Sequence, residues 1–129
     1  MDAFDISASG LSAQRARLDV IAGNIANVET TRTPEGGPYR RLQPVFASRQ
    51  GNPGGVETIG LVADPRPPRR VYQPGHADAD ADGFVAYPNV NIVEEMVDLV
   101  SATRSYEANA AAFNAAKSMA QRALDLGRA

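Results

Sequence analysis

Three aspartates alternate in the stretch GHADADADGFVAYPNVN, residues 75–91, and Asp78, Asp80 and Asp82 followed by Gly83 have the spacing of the first half of a calcium loop. Such a loop needs oxygen ligands at positions one, three and five, glycine at six, a carbonyl at seven and a bidentate acid at twelve. Position twelve is Asn89, which is neutral, and position eleven is Pro88, which forbids the helix that must leave the loop. Upstream, RPPRRVYQPGH cannot supply the entering helix. The expectation is a solvated acidic turn before a short FVAY strand, with no metal. His76 offers an imidazole beside it, but a lone loop histidine is expected to be solvated. Arg40, Arg41, Arg66, Arg69 and Arg70 could gather into a patch for an anionic partner; the expected role is loop charge that balances the acidic turn.

Composition narrows the remaining chemistry. A chain of 129 residues suits one modest domain. Thirteen basic against fifteen acidic side chains, net -2, give no electrostatic footprint for nucleic acid or an anionic membrane. Without cysteine there is neither a disulfide nor a thiolate metal site, and a single histidine nearly excludes the usual nucleophile and base constellations. No cofactor is expected. Two rival classes stay open: a calcium-dependent binding module built on the acidic loop, and a glycan-cleaving enzyme using a pair of Asp or Glu side chains. No run is long and apolar enough for a membrane span, and MDAFDISASG is acidic where a secretory signal would be basic, so no cleavable signal is expected.

The elements around these residues are two helices and a Pro/Gly-rich middle. From Phe4 to Val28, Phe4, Leu11, Leu18 and Ile25 recur at a seven-residue step, which favours a coiled-coil seam. Gly23 inside it costs about 1 kcal/mol relative to Ala, so compensating packing or a close backbone approach is expected there. At the other end Ile92, Leu99, Tyr106, Phe113 and Ala120 are seven apart, with Met96, Thr103, Ala110 and Leu124 on the adjoining ridge. Asn91 is the expected cap, Glu94 sits where it can reach back to the cap's amide, and Gly127 is the expected stop. Six alanines between Tyr106 and Lys117 either favour the helix or let neighbouring helices approach closely. Between the helices, YRRLQPVFASR and GGVETIGLVAD are expected strands joined by the Gly51–Gly55 turn, with RRVYQ and GFVAY as shorter ones. The fold class is α+β: long N- and C-terminal helices pairing as a coiled coil (1–30 plus 89–129) around a small β-rich insertion (31–88).

The run SASGLSAQRARLDVIAGNIANVETTRTPEGGPYRR resembles the bacterial flagellar axial proteins, which share a helix ending in an Asn-x-x-Asn segment, here Asn24 and Asn27, before a small polar turn. Within them, TTRTPEGGPYRR and YPNVNIVEEMVDLVSATRSYEANAAAFNAAKSM are similar to the C-type basal-body rod proteins of the proximal rod. The resemblance implies a structural subunit, not an enzyme, that stacks helically with itself and other rod subunits and leaves through the flagellar type III export apparatus without a cleaved signal. It implies a place in the basal-body rod crossing the periplasm, with no nucleic-acid partner and no membrane span. Another axial protein, of distal rod or hook, is the alternative. The expected assembly interface comprises Leu11, Leu18, Asn24, Ile25 and Asn27 on the first helix, and Ile92, Met96, Leu99, Tyr106, Ala110 and Phe113 on the second.

Overall fold

The computed structural model describes residues 2–51 and 54–128. Helices α1 (Asp2–Ala26) and α2 (Ile92–Gly127) flank four strands, β1 (Leu42–Ser48), β2 (Val56–Ala63), β3 (Arg69–Tyr72) and β4 (Phe84–Tyr87). The strands pair as two separate antiparallel sheets, β1–β2 and β3–β4, so the class is α+β as expected. Each expected strand is present within its stretch. Asn52 and Pro53, at the centre of the expected first turn, and the terminal residues Met1 and Ala129 of the expected helical segments lie outside the described residues.

The start of α2 follows from its cap. Asn91 is extended, φ -107°, and its side chain accepts the free amides of Val93 and Glu94. Glu94 does not complete the expected reciprocal box; its carboxylate accepts from Arg66 at 3.4 Å instead. The helix ends at Gly127 as expected, and Arg128 closes it in a right-handed conformation.

The two helices run antiparallel. Phe4 meets Phe113 edge to face, centroids 5.3 Å apart, and Asn24 reaches Glu95 at the other end. Between these, a Cβ placed on Gly10 would lie 2.6 Å from the Asn109 side chain, so the missing side chain is what admits α2. The inner line of α2 carries Glu95 and Ala102, both buried, then Asn109 and Ala116, both half-buried. This line has the seven-residue step but is offset from the apolar one. Polar Glu95 and Asn109 hold inner positions because each has a partner, while Val93, Met96, Val97 and Val100 form an exposed apolar stripe outside. Gly23 is not closely approached: an added Cβ would meet open space, and its carbonyl accepts both the backbone and the side-chain N–H of Asn27.

The β1–β2 ladder has a fixed phase. Asp64 N–H donates to Arg41 O and Arg49 N–H to Gly55 O, both at 2.8 Å, which marks those as hydrogen-bonded pairs. Leu42, Pro44, Val56, Leu61 and Ala63 therefore turn their backbone groups away from the partner strand. Pro44, which has no N–H to donate, is tolerated for this reason. Ile59 stands opposite no residue of β1, forming a bulge where the register shifts. Helix α1 ties both outer edges: the Asn24 amide bonds N–H and C=O of Leu42, and Ser9 Oγ accepts from Val56 N–H at 3.1 Å.

Candidate functional site

Where α1, β1, β2 and α2 meet, the centre is polar. Arg41 is the hub: its guanidinium bonds Glu95 through Nε, Asp64 through Nη1 at 3.1 Å and Asp98 through Nη2 at 3.1 Å. Glu95 is 0% exposed and Asp64 4%, so these are charges removed from water and held by partners. Asn24, 1% exposed, accepts from Tyr39 Oη at 2.7 Å and from Leu42 N–H, and donates to Leu42 O and Glu95. Asn89 Oδ1 accepts the Arg41 amide, and its Nδ2 donates to the carbonyls of Asp64 and Arg66. Among the described residues no buried side-chain nitrogen or oxygen lacks a hydrogen-bond partner. The hub joins both helices to the insertion through side chains that come from all three.

Its electrostatics are those of a clamp. Hydrogen bonds from Arg66, with Arg41 adding to them, hold the Asp64 carboxyl far below the usual carboxylate range. Burial lowers the Arg41 pKa, but the hydrogen bonds and charges of Glu95 and Asp64 outweigh it and the net shift is upward. Burial, then the charge of Glu95, raises Tyr39. A general acid needs a carboxyl lifted toward neutrality, and Asp64 is driven the other way.

The acidic turn uses its aspartates differently. Asp80 Oδ1 accepts the amides of Asp82 and Phe84, both at 2.9 Å, and its Oδ2 accepts from Arg70 at 2.7 Å. Asp80 N–H donates to Phe84 O, so this residue occupies both outward backbone groups of Phe84. Asp78 accepts from Thr31 and Arg32, and its amide donates to His76 Nδ1. Gly83, φ +85°, lies where a Cβ would sit 2.8 Å from the Tyr72 ring, so the glycine serves the turn itself. Among the described residues no three His, Asp or Glu side chains gather as metal ligands.

The five arginines do not form one patch. Arg41 is in the hub, Arg66 grips Asp64 through Nε and Nη2, and Arg40 donates to Asp64 O. Arg69 stacks on Tyr87, and Arg70 on Phe84 while paired with Asp80, which is the balancing of the acidic turn expected from the sequence.

The expected interface residues fall into three groups. Asn24 is inside the hub, and Asn27 closes α1 by accepting from Thr30 Oγ1 and donating to Gly23 O. Leu11, Leu18, Ile25, Leu99, Ala110 and Phe113 are half-buried within the chain. Ile92, Met96 and Tyr106 are exposed. Missing from the expectation were Glu95, Asp64, Tyr39 and Asp98, which no short-range spacing marks, and the hub roles of Arg41 and Asn89.

The depressed carboxyls fix an acid dependence. Hydrogen bonds from Arg66 lower Asp64, those from Thr31 and Arg32 lower Asp78, and the Phe84 amide leads the causes that lower Asp80. A group depressed in the folded state contributes stability that is complete above its unfolded pKa, about 4, and lost as pH falls below it. The thermal midpoint should hold level from pH 7 to about pH 5 and drop below about pH 4. Scanning calorimetry across that range checks this; a midpoint that rises on acidification would contradict the clamp.

Residues 81–126 match the family described as flagellar basal body rod FlgEFG protein C-terminal, and residues 4–32 match the flagella basal body rod protein family. The chain is 46% identical over 131 residues to the flagellar basal-body rod protein FlgC of Yersinia enterocolitica, covering 99% of this chain and 98% of that one. It is 45% identical to the protein of that name from Borreliella burgdorferi, covering 94% and 93%, and 42% to that of Bacillus subtilis, covering 97% and 96%.

Proposed function

The chain belongs to the FlgC family of flagellar basal-body rod proteins, and from that premise we propose how it builds the rod. It is a structural rod protein of the basal body and assembles with other rod components. Its place is the proximal rod, which crosses the periplasm. It arrives through the flagellar export apparatus as an unfolded chain. Among the described residues no helix is long and apolar enough to cross a membrane.

In this reading segments 1–30 and 89–129 form one helical unit, paired as a coiled coil, and 31–88 is the insertion it carries. The single observation that carries the reading is the outer face of α2. Val93 is 70% exposed, Val97 63%, and Met96 and Val100 55% each, an apolar row at helical spacing that no described residue covers. Ile92 and Tyr106 border it, and Leu11, Leu18, Ile25, Leu99, Ala110 and Phe113 offer their exposed parts to neighbours. Asn24 and Asn27 act from within, by fixing where α1 ends.

Val97→Asp tests this. The side chain is exposed in the monomer, so the melting curve of the purified variant should match the parent. Burying an unpartnered carboxylate against a neighbour costs several kcal/mol, so complementation by the variant should lose rods and swimming at least about a hundredfold. Normal swimming would remove this face from the rod.

A further inference from the structure

We propose that the outer edge of β2, from Thr58 to Ala63, is a strand-addition site that accepts an extended segment of a different rod subunit. The proposal rests on the rod reading above. Sheet edges left open recruit other strands, and proteins blunt them with side-chain caps, proline, charge or brevity. The other edges here are blunted. On β1, Asn24 holds the outward groups of Leu42, the next outward residue is Pro44, without an N–H, and Phe46 beyond it is half-buried in a recess shared with Val20 and Ile21 of α1. On β3, four residues long, the outward Arg70 brings a charge. On β4, also four residues long, Asp80 holds both outward groups of Phe84.

Strand β2 differs. Ser9 takes the outward amide of Val56, and beyond it Leu61 and Ala63 turn their backbone groups outward along an exposed strand. The sequence VETIGLVA carries no proline, lysine or arginine. Ile59 is 60% exposed, Leu61 55% and Val62 50%, so apolar surface accompanies the open backbone. Past Ser9 the edge continues into a groove of about 780 Å³ between α1 and β2, with Ser12, Val56 and Thr58 among its walls. Only an extended polypeptide matches such an edge in backbone donors and acceptors.

The incoming strand must come from another kind of chain. Among the described residues a second copy offers no comparable strand edge except its own β2, and pairing β2 with β2 needs a two-fold axis, which closes a dimer and does not extend a rod. The fitting partner segment is extended, apolar at alternate positions to lie beside Ile59 and Leu61, and free of proline where its amides meet Leu61 and Ala63.

Because this chain has no cysteine, Ile59→Cys gives its one attachment point for a benzophenone cross-linker, and in purified basal bodies adducts are read from peptides of this chain that carry it. Irradiation should join it to a non-helical peptide of a different rod subunit, identified by mass spectrometry. An adduct only to a second copy, or none in intact rods, overturns the proposal. Leu61→Pro removes one outward N–H that the β1 ladder does not use, and Leu61→Lys adds a charge at an exposed position. Each should leave the monomer's melting unchanged and reduce assembled rods at least about tenfold. Normal rod numbers with Leu61→Lys overturn the proposal even if Leu61→Pro misfolds. Rods lost in Val97→Asp but kept in Leu61→Lys would retain the rod reading and reject the strand site alone.

Discussion

Arg41→Met is expected to cost about 3–5 kcal/mol of folding stability, because it leaves Glu95, 0% exposed, as a buried charge with no cation. A domain of this size has about 5–15 kcal/mol in total, so the variant should unfold at a much lower urea concentration than the parent. Asp64 keeps Arg66, and Asp98 is open enough to be solvated, so Glu95 carries most of the loss. The companion Glu95→Leu leaves the opposite orphan, a largely buried guanidinium that retains Asp64 and Asp98, and should cost less. Replacing both removes charge and partner together, which buried pairs tolerate with little loss. The double variant should therefore be more stable than Arg41→Met alone. Urea unfolding of the three variants closes the cycle, with an expected coupling of about 2–3 kcal/mol. Additive single losses would mean that Arg41 and Glu95 act separately and that the hub is not one unit.

That hub was the part hidden from the sequence. Both helices and all four strands followed from local signals: the seven-residue apolar step, the Asn91 cap, and the Gly/Pro punctuation between short apolar runs. The turn before the FVAY strand was also legible, since Asn89 and Pro88 stand where a calcium loop would require an acid and a helix. By contrast, Arg41 and Glu95 are 54 residues apart and Arg41 and Asp64 are 23, and single charged residues at such distances carry no periodic mark. The same blindness shifted the helix seam. Apolar counting selects Ile92, Met96 and Tyr106, which are exposed, and passes over Glu95 and Asn109, which face inward because hydrogen bonds satisfy them. Asn24 is the exception: the Asn-x-x-Asn segment drew attention to it, although its amide works as a substitute strand on Leu42 and not as surface.

Ending the chain after Ser118 should leave the monomer folded and abolish the rod. Helix α2 has 36 residues and α1 has 25, and with Phe4 opposite Phe113 the last turns of α2 run past the start of α1. From Lys117 to Arg128 every residue but Ala120 is exposed, including Met119 at 68%, Leu124 at 67% and Leu126 at 79%. A segment that buries so little contributes little, so the melting midpoint should move by less than about 4 °C, the shift that 1 kcal/mol produces at the boundary between small and mid-sized domains. A free helical end of about ten residues is marginal in water, and its amides should exchange quickly in a verified monomer. In the rod a neighbour must cover it, and the burial of Met119, Leu124 and Leu126 with Ala120 and Ala123 then offsets part of the ordering entropy, which is about 1–2 kcal/mol per residue. Hydrogen exchange should therefore change from fast to strongly protected over residues 119–127 on assembly, while Asn24, Arg41 and Glu95, already in the hub, change little. Truncated chains that still form rods, or equal protection of 119–127 in monomer and rod, would show that the overhang is not an assembly element; the apolar stripe from Val93 to Val100 would then have to hold the subunit without it.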